Sequence, residues 1–172
     1  MVAPGTPISE RQTAMSAEGQ IPENDATQPQ VAIVAQYIKD LSFENPGAPA
    51  MMSQGPQIDL GVDLQARRGD AEHFEVELKL RVTAKTGEKT AFLLELAYAG
   101  LFRIVGVPDE MLQPLLLIQA PHMIFPFARR IVADVVRDGG MPPLMVDPID
   151  FAALYQAKLA SGGIQGQTIG NA

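Results

Sequence analysis

The sequence contains no cysteine and only two histidines, so several kinds of chemistry are excluded from the start. A chain without cysteine forms no disulfide, no thiolate zinc site and no cysteine nucleophile, and it gives no sign of an oxidising compartment. Basic residues are also scarce. The 13 basic and 20 acidic residues give a net charge of −7, the wrong sign for binding a phosphate backbone. The composition predicts a cytoplasmic protein that does not bind nucleic acid.

Sequence motifs for catalysis and cofactor binding are missing as well. The chain has no phosphate-binding glycine loop with lysine, no GxGxxG fingerprint, no HExxH, no EF-hand spacing and no GxSxG elbow. His73 begins a predicted strand and His122 follows a helix-initiating proline. With no third ligand at useful spacing, a structural role is favoured for both. The triplet Arg68-Gly69-Asp70 is interpreted as a turn. We therefore expect no enzymatic activity, no metal site and no cofactor.

The chain also lacks the basic start and apolar core of a secretory signal. Its longest uncharged run, 111–128, includes three prolines, whereas a spanning helix needs about 20 mainly apolar residues. We expect no membrane insertion. Residues 1–29, rich in Pro, Gln, Ser and Thr, predict a disordered tail, and residues 161–172, with four glycines and no charge, predict a flexible one. Residues 30–160 are predicted to form one domain.

Four consecutive segments alternate between apolar and polar residues with the period of a β-strand. The alternation in the first segment predicts an apolar face made of Val31, Ile33, Ala35, Tyr37, Leu41 and Phe43. It places Asp40, Ser42 and Glu44 on the opposite face. Similar runs follow over 58–64, 74–82 and 90–104, separated by polar turns. These runs predict an antiparallel meander or Greek key, with one face open to solvent.

The C-terminal third of the chain has the spacing of helices. Pro108-Asp109-Glu110 predicts a helix start, Pro121 the first residue of a second helix, and Gly139-Gly140 its end. Residues 141–149 hold three prolines and predict an extended apolar loop, followed by a last helix over 151–160. The predicted fold class is α+β, a four-stranded antiparallel sheet with helices packed on one face.

The open face of the predicted sheet is acidic. Its basic residues are Lys79 and Arg81, and its acidic residues are Asp40, Glu44, Asp59, Asp63, Glu75, Glu77 and Glu95. One interpretation is a surface that keeps the protein soluble. The other is an electrostatic docking surface for a basic partner, with Leu93 as an apolar anchor. The residue pattern leaves both open.

Large apolar residues concentrate in or beside predicted loops, where they are costly to leave in water unless something covers them. They are Met51, Met52, Met141, Leu144, Met145, Val146 and Phe151. One interpretation is that they cap the core. The other is that they line a groove for unfolded peptides, since flexible methionine side chains suit contact with many different apolar chains.

Four segments carry a resemblance to a known family. They are YIKDLSFENPGAP (37–49), TAFLLEL (90–96), IFPFARRIV (124–132) and GGMPPLMVDPIDFAALY (139–155). With the spacing between them, over about residues 31–160, the chain resembles SecB. The resemblance implies the SecB fold, assembled as a homotetramer that is a dimer of dimers. It also implies an ATP-independent export chaperone, which holds unfolded precursor proteins and delivers them to the SecA ATPase.

The resemblance also assigns roles to residues. It implies that precursor segments occupy apolar grooves where Met51, Met52, Met141, Leu144 and Phe151 fall, and Met145 and Val146 belong to the same apolar loop. It implies that SecA binds at Asp40, Glu44, Leu93 and Glu95. SecB tails can be acidic and help to bind the motor, but residues 161–172 contain no acid.

Two other functions stay open as alternatives to a chaperone. One is a soluble carrier of hydrophobic small molecules. The other is a small hydrolase or isomerase that uses carboxylates such as Glu75 and Glu77, which would need a cleft that raises the pKa of one of them.

Overall fold

The computed structural model describes residues 29–52 and 55–161. The strands are β1 (Gln30–Glu44), β2 (Gln57–Arg68), β3 (His73–Thr86) and β4 (Lys89–Val105). The helical elements are α1 (Asp109–Pro114), a π-helical turn (Leu115–Gln119), α2 (Ala120–Asp138) and α3 (Phe151–Ala160). The two predicted tails, apart from residues 29 and 161, lie outside the described residues.

The four strands form one antiparallel sheet in the order β1-β4-β3-β2. Strands β2, β3 and β4 follow one another as neighbours, whereas β1 pairs with β4 on the far side of the sheet. The turn between β3 and β4 places Gly87 at a φ of 61°, a left-handed conformation that tight hairpin turns require and that glycine adopts without strain. The predicted four-stranded antiparallel sheet and the α+β class are confirmed.

One face of the sheet is covered by helices and forms the core. Alternate residues of β3 and β4 on this face are almost completely buried: Phe74, Val76, Leu78, Leu80, Val82, Phe92, Leu94, Leu96 and Phe102. Helix α2 packs on them with Ile124, Ala128 and Val132, spaced every four residues on its apolar stripe. Gly100 permits the close approach, because a Cβ there would lie 2.9 Å from Cγ2 of Ile124.

The opposite face of the sheet, called the open face below, carries the alternate polar residues of β2 and β3. Pairing with β4 also places three polar residues at the end of β1 on the open face. Asp40 lies opposite Ala97, Ser42 opposite Glu95, and Glu44 opposite Leu93. The predicted placement of Asp40, Ser42 and Glu44 on this face is confirmed.

The predicted alternation of β1 fails in the middle of the strand. Its register with β4 shifts between Ile33 and Ala35 and again between Ile38 and Asp40. Each irregularity adds one residue, which moves the following side chains to the other face. Tyr37 consequently lies opposite Ala99 on the open face. The expectation that Ala35 and Tyr37 share a face with Ile33 is wrong, because a period of two holds only where no residue is inserted.

The first three helical elements after β4, from α1 to α2, follow one another without a loop. Helix α2 begins at Ala120, one residue before the predicted start at Pro121, and the π-helical turn joins it to α1. The wider turn lies directly before Pro121, whose ring would clash with a carbonyl of the preceding turn in a regular helix. By length and composition, Asp109–Asp138 could cross a membrane, but 44% of its apolar window is buried inside the structure. Its apolar face is occupied by the sheet.

Candidate functional site

Two regions carry the residues singled out by the sequence: an apolar groove at one end of the core, and the open face. The groove forms where the connection after β1 meets the end of α2. Asn45 donates from Nδ2 to the carbonyl of Gly139 at 2.9 Å, which ties these two segments together. Gly140 lies against Met52 at a φ of 86°, where a Cβ would overlap the methionine methyl group. The glycine pair therefore both ends α2 and makes room for the loop.

The apolar groove has a volume of about 320 Å³, and none of its lining residues is charged. The lining residues are Met52, Gly55, Pro56, Ile58, Phe92, Val136, Met141, Pro142, Pro143 and Leu144. Residues from five parts of the chain meet here: the loop after β1, strand β2, strand β4, the end of α2, and the proline-rich loop. Backbone rigidity at three prolines and side-chain flexibility at two methionines give the groove a fixed frame with an adaptable surface.

The structure brings together three of the seven predicted groove residues: Met52, Met141 and Leu144. Met51 packs partly buried against the core, and Met145 points to solvent with 59% of its surface exposed. Val146 and Phe151 are core residues here. The part of these seven residues in binding clients stays a prediction.

Phe151 lies in the core, where its side chain packs against α2 and anchors α3 to it. Its side chain is fully buried, and its ring meets the rings of His122 and Phe125 edge-on at centroid distances of 4.9 and 6.0 Å. Tyr155, one turn later, donates to Gln113 at 3.5 Å. His122 thus has the structural role expected from the sequence.

Sequence reasoning missed Ile58, Phe92 and Val136 as groove residues. Ile58 and Phe92 fit the apolar alternation of strands β2 and β4, and Val136 fits the apolar stripe of helix α2. The sequence pattern therefore predicts an ordinary core position for each of them. Only the exposure of Ile58 at the start of an edge strand sets it apart. The sequence offers no local signal for this convergence, because it depends on where the connection between the two edge strands β1 and β2 runs.

The second region contains Asp40, Glu44, Leu93 and Glu95, which the structure brings together on two neighbouring strands of the open face. Glu44 and Leu93 are directly paired, and Glu95 pairs with Ser42 between the two β1 acids. The three carboxylates are exposed and Leu93 is half-buried. Their part in binding a partner stays a prediction.

Lys39 changes the charge balance of the open face. Its Nζ lies 2.6 Å from Glu75 Oε1 and 2.8 Å from Glu77 Oε2, although both glutamates belong to β3 on the far side of β4. The intervening positions of β4 are Ala97 and Ala99, which are small enough for the lysine to lie across them. Lys79 adds a contact to Glu77 at 3.3 Å.

The pKa values of this cluster follow from its packing. Burial alone would raise the pKa of Glu77, but hydrogen bonds from Lys39 and Lys79 outweigh it and leave that pKa below its ordinary value. Hydrogen bonds to Glu75 and Glu77 raise the pKa of Lys39. Burial and then the charge of Glu75 raise the pKa of Tyr37 beside them. A carboxylate with a lowered pKa is a poor general acid, so Glu77 lacks the property that the acid of a glycosidase-like hydrolase needs.

Two more ion pairs neutralise the open face further. Arg81 contacts Glu95, and Lys158 of α3 reaches Asp63 at 2.7 Å and the carbonyl of Leu64 at 3.1 Å. Of the seven acidic residues predicted on this face, Asp40, Glu44 and Asp59 are left without a cationic partner within the described part of the chain. The sequence count missed Lys39, which an inserted residue brings to this face, and Lys158, which comes from a helix.

The predicted structural role of His73 also agrees with the geometry. Its Nδ1 lies 2.9 Å from Asp70, whose carboxylate also accepts the backbone N–H groups of Glu72 and His73. These bonds close the turn predicted at Arg68-Gly69-Asp70. Over residues 29–52 and 55–161, no group of three or more His, Asp or Glu side chains is arranged to hold a metal ion.

Comparison with known proteins decides the family. The family model described as "Preprotein translocase subunit SecB" matches residues 24–162. The chain belongs to the SecB family. It is 52% identical over 142 residues to the protein-export protein SecB of Maricaulis maris, covering 80% of this chain and 83% of that one. It is 49% identical over 153 residues to SecB of Bradyrhizobium diazoefficiens, covering 85% and 95%.

A solved structure agrees on the fold. A SecB-like chaperone of Mycobacterium tuberculosis, in complex with a ChAD peptide from an antitoxin, matches with a TM-score of 0.61 at 18% identity, over 69% of this chain and 90% of that one. The protein is therefore a protein-export chaperone of the SecB family and not an enzyme. Neither the small-molecule carrier nor the hydrolase is favoured.

Proposed function

We propose that this SecB binds unfolded segments of precursor proteins in the apolar groove, without ATP, and delivers them in the cytoplasm to the SecA motor at the open face. The observation that carries the proposal is the charge-free lining of the groove by residues such as Met52, Met141 and Leu144. A folded protein hides its apolar side chains, so only an unfolded chain offers enough of them to fill such a site.

The size of the groove explains how a chaperone without sequence preference binds firmly. A volume of about 320 Å³ accommodates only a few side chains, so one groove binds one short apolar segment weakly. An unfolded precursor several hundred residues long carries many such segments. Several weak contacts on one assembly then add through effective concentration. The peptide complex of the Mycobacterium tuberculosis relative supports a peptide as the ligand.

The proposed SecA docking surface is Asp40, Glu44, Leu93 and Glu95. Exposed carboxylates around a half-buried leucine offer a basic partner both long-range attraction and one apolar contact. The groove and the docking surface share no residue. Separate surfaces allow client and motor to bind at the same time, which a delivery factor requires.

The proposed assembly is a dimer of dimers. Strand β1 is 15 residues long and lies at the edge of the sheet, with exposed apolar residues that include Val34 and Ile38. A long apolar edge strand invites pairing with another chain. Helix α2 exposes Met123 and Phe127 one turn apart, which supports a second contact on a different surface. Two independent contacts per chain are what a dimer of dimers needs.

The groove is tested by paired substitutions. We expect Met52→Ser with Leu144→Ser to weaken binding of a urea-denatured precursor about ten-fold or more, because losing the burial of one such side chain costs about 1.5 kcal/mol or more. Fluorescence anisotropy of a labelled precursor measures this without ATP. Met111→Ser, at an exposed methionine of α1 that does not line the groove, is the matched control and should bind as the wild type does. Equal binding by all three proteins would reject the groove as the client site.

A further inference from the structure

Arg81 contacts one residue of the proposed docking surface. In the sheet register, Arg81 on β3 lies between Gly61 on β2 and Glu95 on β4. Gly61 offers no side chain, so the acidic side chain directly beside Arg81 is that of Glu95. The arginine Nε lies 2.5 Å from Glu95 Oε1. One of the proposed SecA contacts is thus already occupied by a cation of the chain itself.

This ion pair is more exposed than the Lys39 cluster in the middle of the open face. The side chains of Arg81 and Glu95 are 70% and 51% exposed, whereas Glu77, held by two lysines, is only 9% exposed. A cation from outside can reach Glu95 with little rearrangement. Asp40 and Glu44, the other two acids of the docking surface, have no cationic partner among the residues that the structure describes. The proposed docking surface therefore combines two available carboxylates with one that is already neutralised.

We propose that Arg81 is an intramolecular competitor for Glu95, which a basic side chain of SecA displaces when it docks. This inference rests on the proposed docking surface. Competition lowers affinity for every basic partner. A partner that contacts Glu95 alone then binds too weakly to persist, whereas SecA also contacts Asp40, Glu44 and Leu93, so Arg81 restricts firm binding to partners that match the whole surface. It also keeps the open face less negative in the free protein, between encounters with the motor.

The expected change in SecA affinity follows from the exposure of the Arg81–Glu95 ion pair. Exposed ion pairs contribute only a few tenths to about 1 kcal/mol, so removing the competitor should tighten SecA binding by about two- to five-fold. The gain should appear at low ionic strength and shrink as salt rises, because screening weakens exposed charges.

The experiment compares SecA binding, by surface plasmon resonance, to the wild type, Arg81→Gln, Glu95→Gln and the double variant. We expect Arg81→Gln to bind more tightly, Glu95→Gln more weakly, and the gain from Arg81→Gln to vanish in the Glu95→Gln background. Lys79→Gln is the matched control. It removes the same charge from the same strand, but its partner Glu77 lies outside the docking surface. Thermal unfolding checks that all variants are folded.

The possible failures are distinguishable. If Glu95→Gln binds SecA as well as the wild type does, Glu95 is no contact, and both the docking assignment and the competition are overturned. If Glu95→Gln weakens binding but Arg81→Gln has no effect, the docking surface stands and the competitor is rejected. If Arg81→Gln tightens binding equally in both backgrounds, or no more than Lys79→Gln does, the effect is one of general charge and the competition is again rejected.

Discussion

Lys39 illustrates how one side chain organises the middle of the open face. It reaches across Ala97 and Ala99 to two glutamates, so it links the edge strand β1 to the inner strand β3 without a covalent or backbone connection. The small side chains of Ala97 and Ala99, which lie between the charges, make this possible. The same cluster neutralises the centre of the face, while Asp40 and Glu44 of β1 and Asp59 of β2 stay available at its two edges. Packing of a single lysine thus removes the negative charge from the middle of the face.

The Lys39–Glu77 pair predicts a definite pH dependence of stability. The pKa of Glu77 is lowered, so its contribution is present above its ordinary value of 4.5 and is lost as pH falls below that. The pKa of Lys39 is raised, so its contribution is present below 10.5 and is lost only at more alkaline pH. A double-mutant cycle of Lys39→Met and Glu77→Gln in urea unfolding should give a coupling of about 0.5–3 kcal/mol at pH 7. The coupling should weaken as the pH falls below 4.5, because protonation of Glu77 removes its charge.

The exposed pair of Arg103 and Glu72 serves as the control for this cycle, because both of its side chains are about half exposed. Its coupling at pH 7 should be below about 1 kcal/mol. A Lys39–Glu77 coupling that persists unchanged at pH 3 would show that the interaction is not between two charges.

Single residues also mark the limit of what the sequence predicts. The types and positions of Asp40, Glu44, Leu93 and Glu95 were enough to predict their shared face, since strand alternation and the resemblance agreed. The cations that neutralise this face were not predictable in the same way. The position of Lys39 depends on an inserted residue in β1, and the position of Lys158 depends on how α3 docks. Neither position can be predicted from the local periodicity of the sequence.

At the scale of elements, the sequence predicts best where one period runs undisturbed. Strands β2, β3 and β4 and the end of α2 at Gly139-Gly140 follow the predictions closely. Predictions weaken where tertiary contacts override the pattern. The junction at Pro121 and the irregular register of β1 are such places. The groove lies where five parts of the chain converge, so its composition was predictable in part and its geometry was not.

Helix α3 depends on its first residue for its position. Its exposed positions outnumber its buried ones, and only Phe151 is fully buried. We expect Phe151→Ala to lower the free energy of unfolding by about 3–5 kcal/mol, because it leaves a cavity between α3 and α2. Hydrogen exchange should rise first in Phe151–Ala160. Leu159→Ala, an exposed position on the same helix, should change stability by less than about 0.5 kcal/mol. Similar unfolding curves for the two variants would place Phe151 outside the core.

At the scale of the whole molecule, the two exposed apolar surfaces predict how the assembly comes apart. Ile38→Lys should break the β1 contact, and Phe127→Glu should break the α2 contact, since each puts a charge on one proposed interface. Sedimentation velocity at micromolar concentration should give about four chains for the wild type, two for either variant and one for the double variant. Leu159→Glu is the control and should leave the mass unchanged. A monomeric wild type would refute the assembly.

The last prediction tests whether client and motor use separate surfaces of the molecule. Replacing Asp40, Glu44 and Glu95 with Asn, Gln and Gln removes three charges but keeps the size and hydrogen bonding of these exposed side chains. Stability should change by less than about 0.5 kcal/mol for each position. SecA should associate more slowly, because steering by exposed charges acts mainly on the association rate. The wild-type complex should itself weaken with salt, since exposed charges are screened beyond about 10 Å at 0.1 M.

Client binding should be unaffected in this triple variant, because the groove contains no charged residue and none of the three substituted positions. Surface plasmon resonance with SecA and anisotropy with a denatured precursor measure the two activities on the same preparation. The groove variant Met52→Ser with Leu144→Ser should show the reverse pattern, normal SecA binding with weak client binding. Two variants with opposite losses are stronger evidence than either alone, because a partly unfolded protein loses both activities together. Loss of both activities in a variant that still unfolds at the wild-type temperature would reject the separation of the two surfaces.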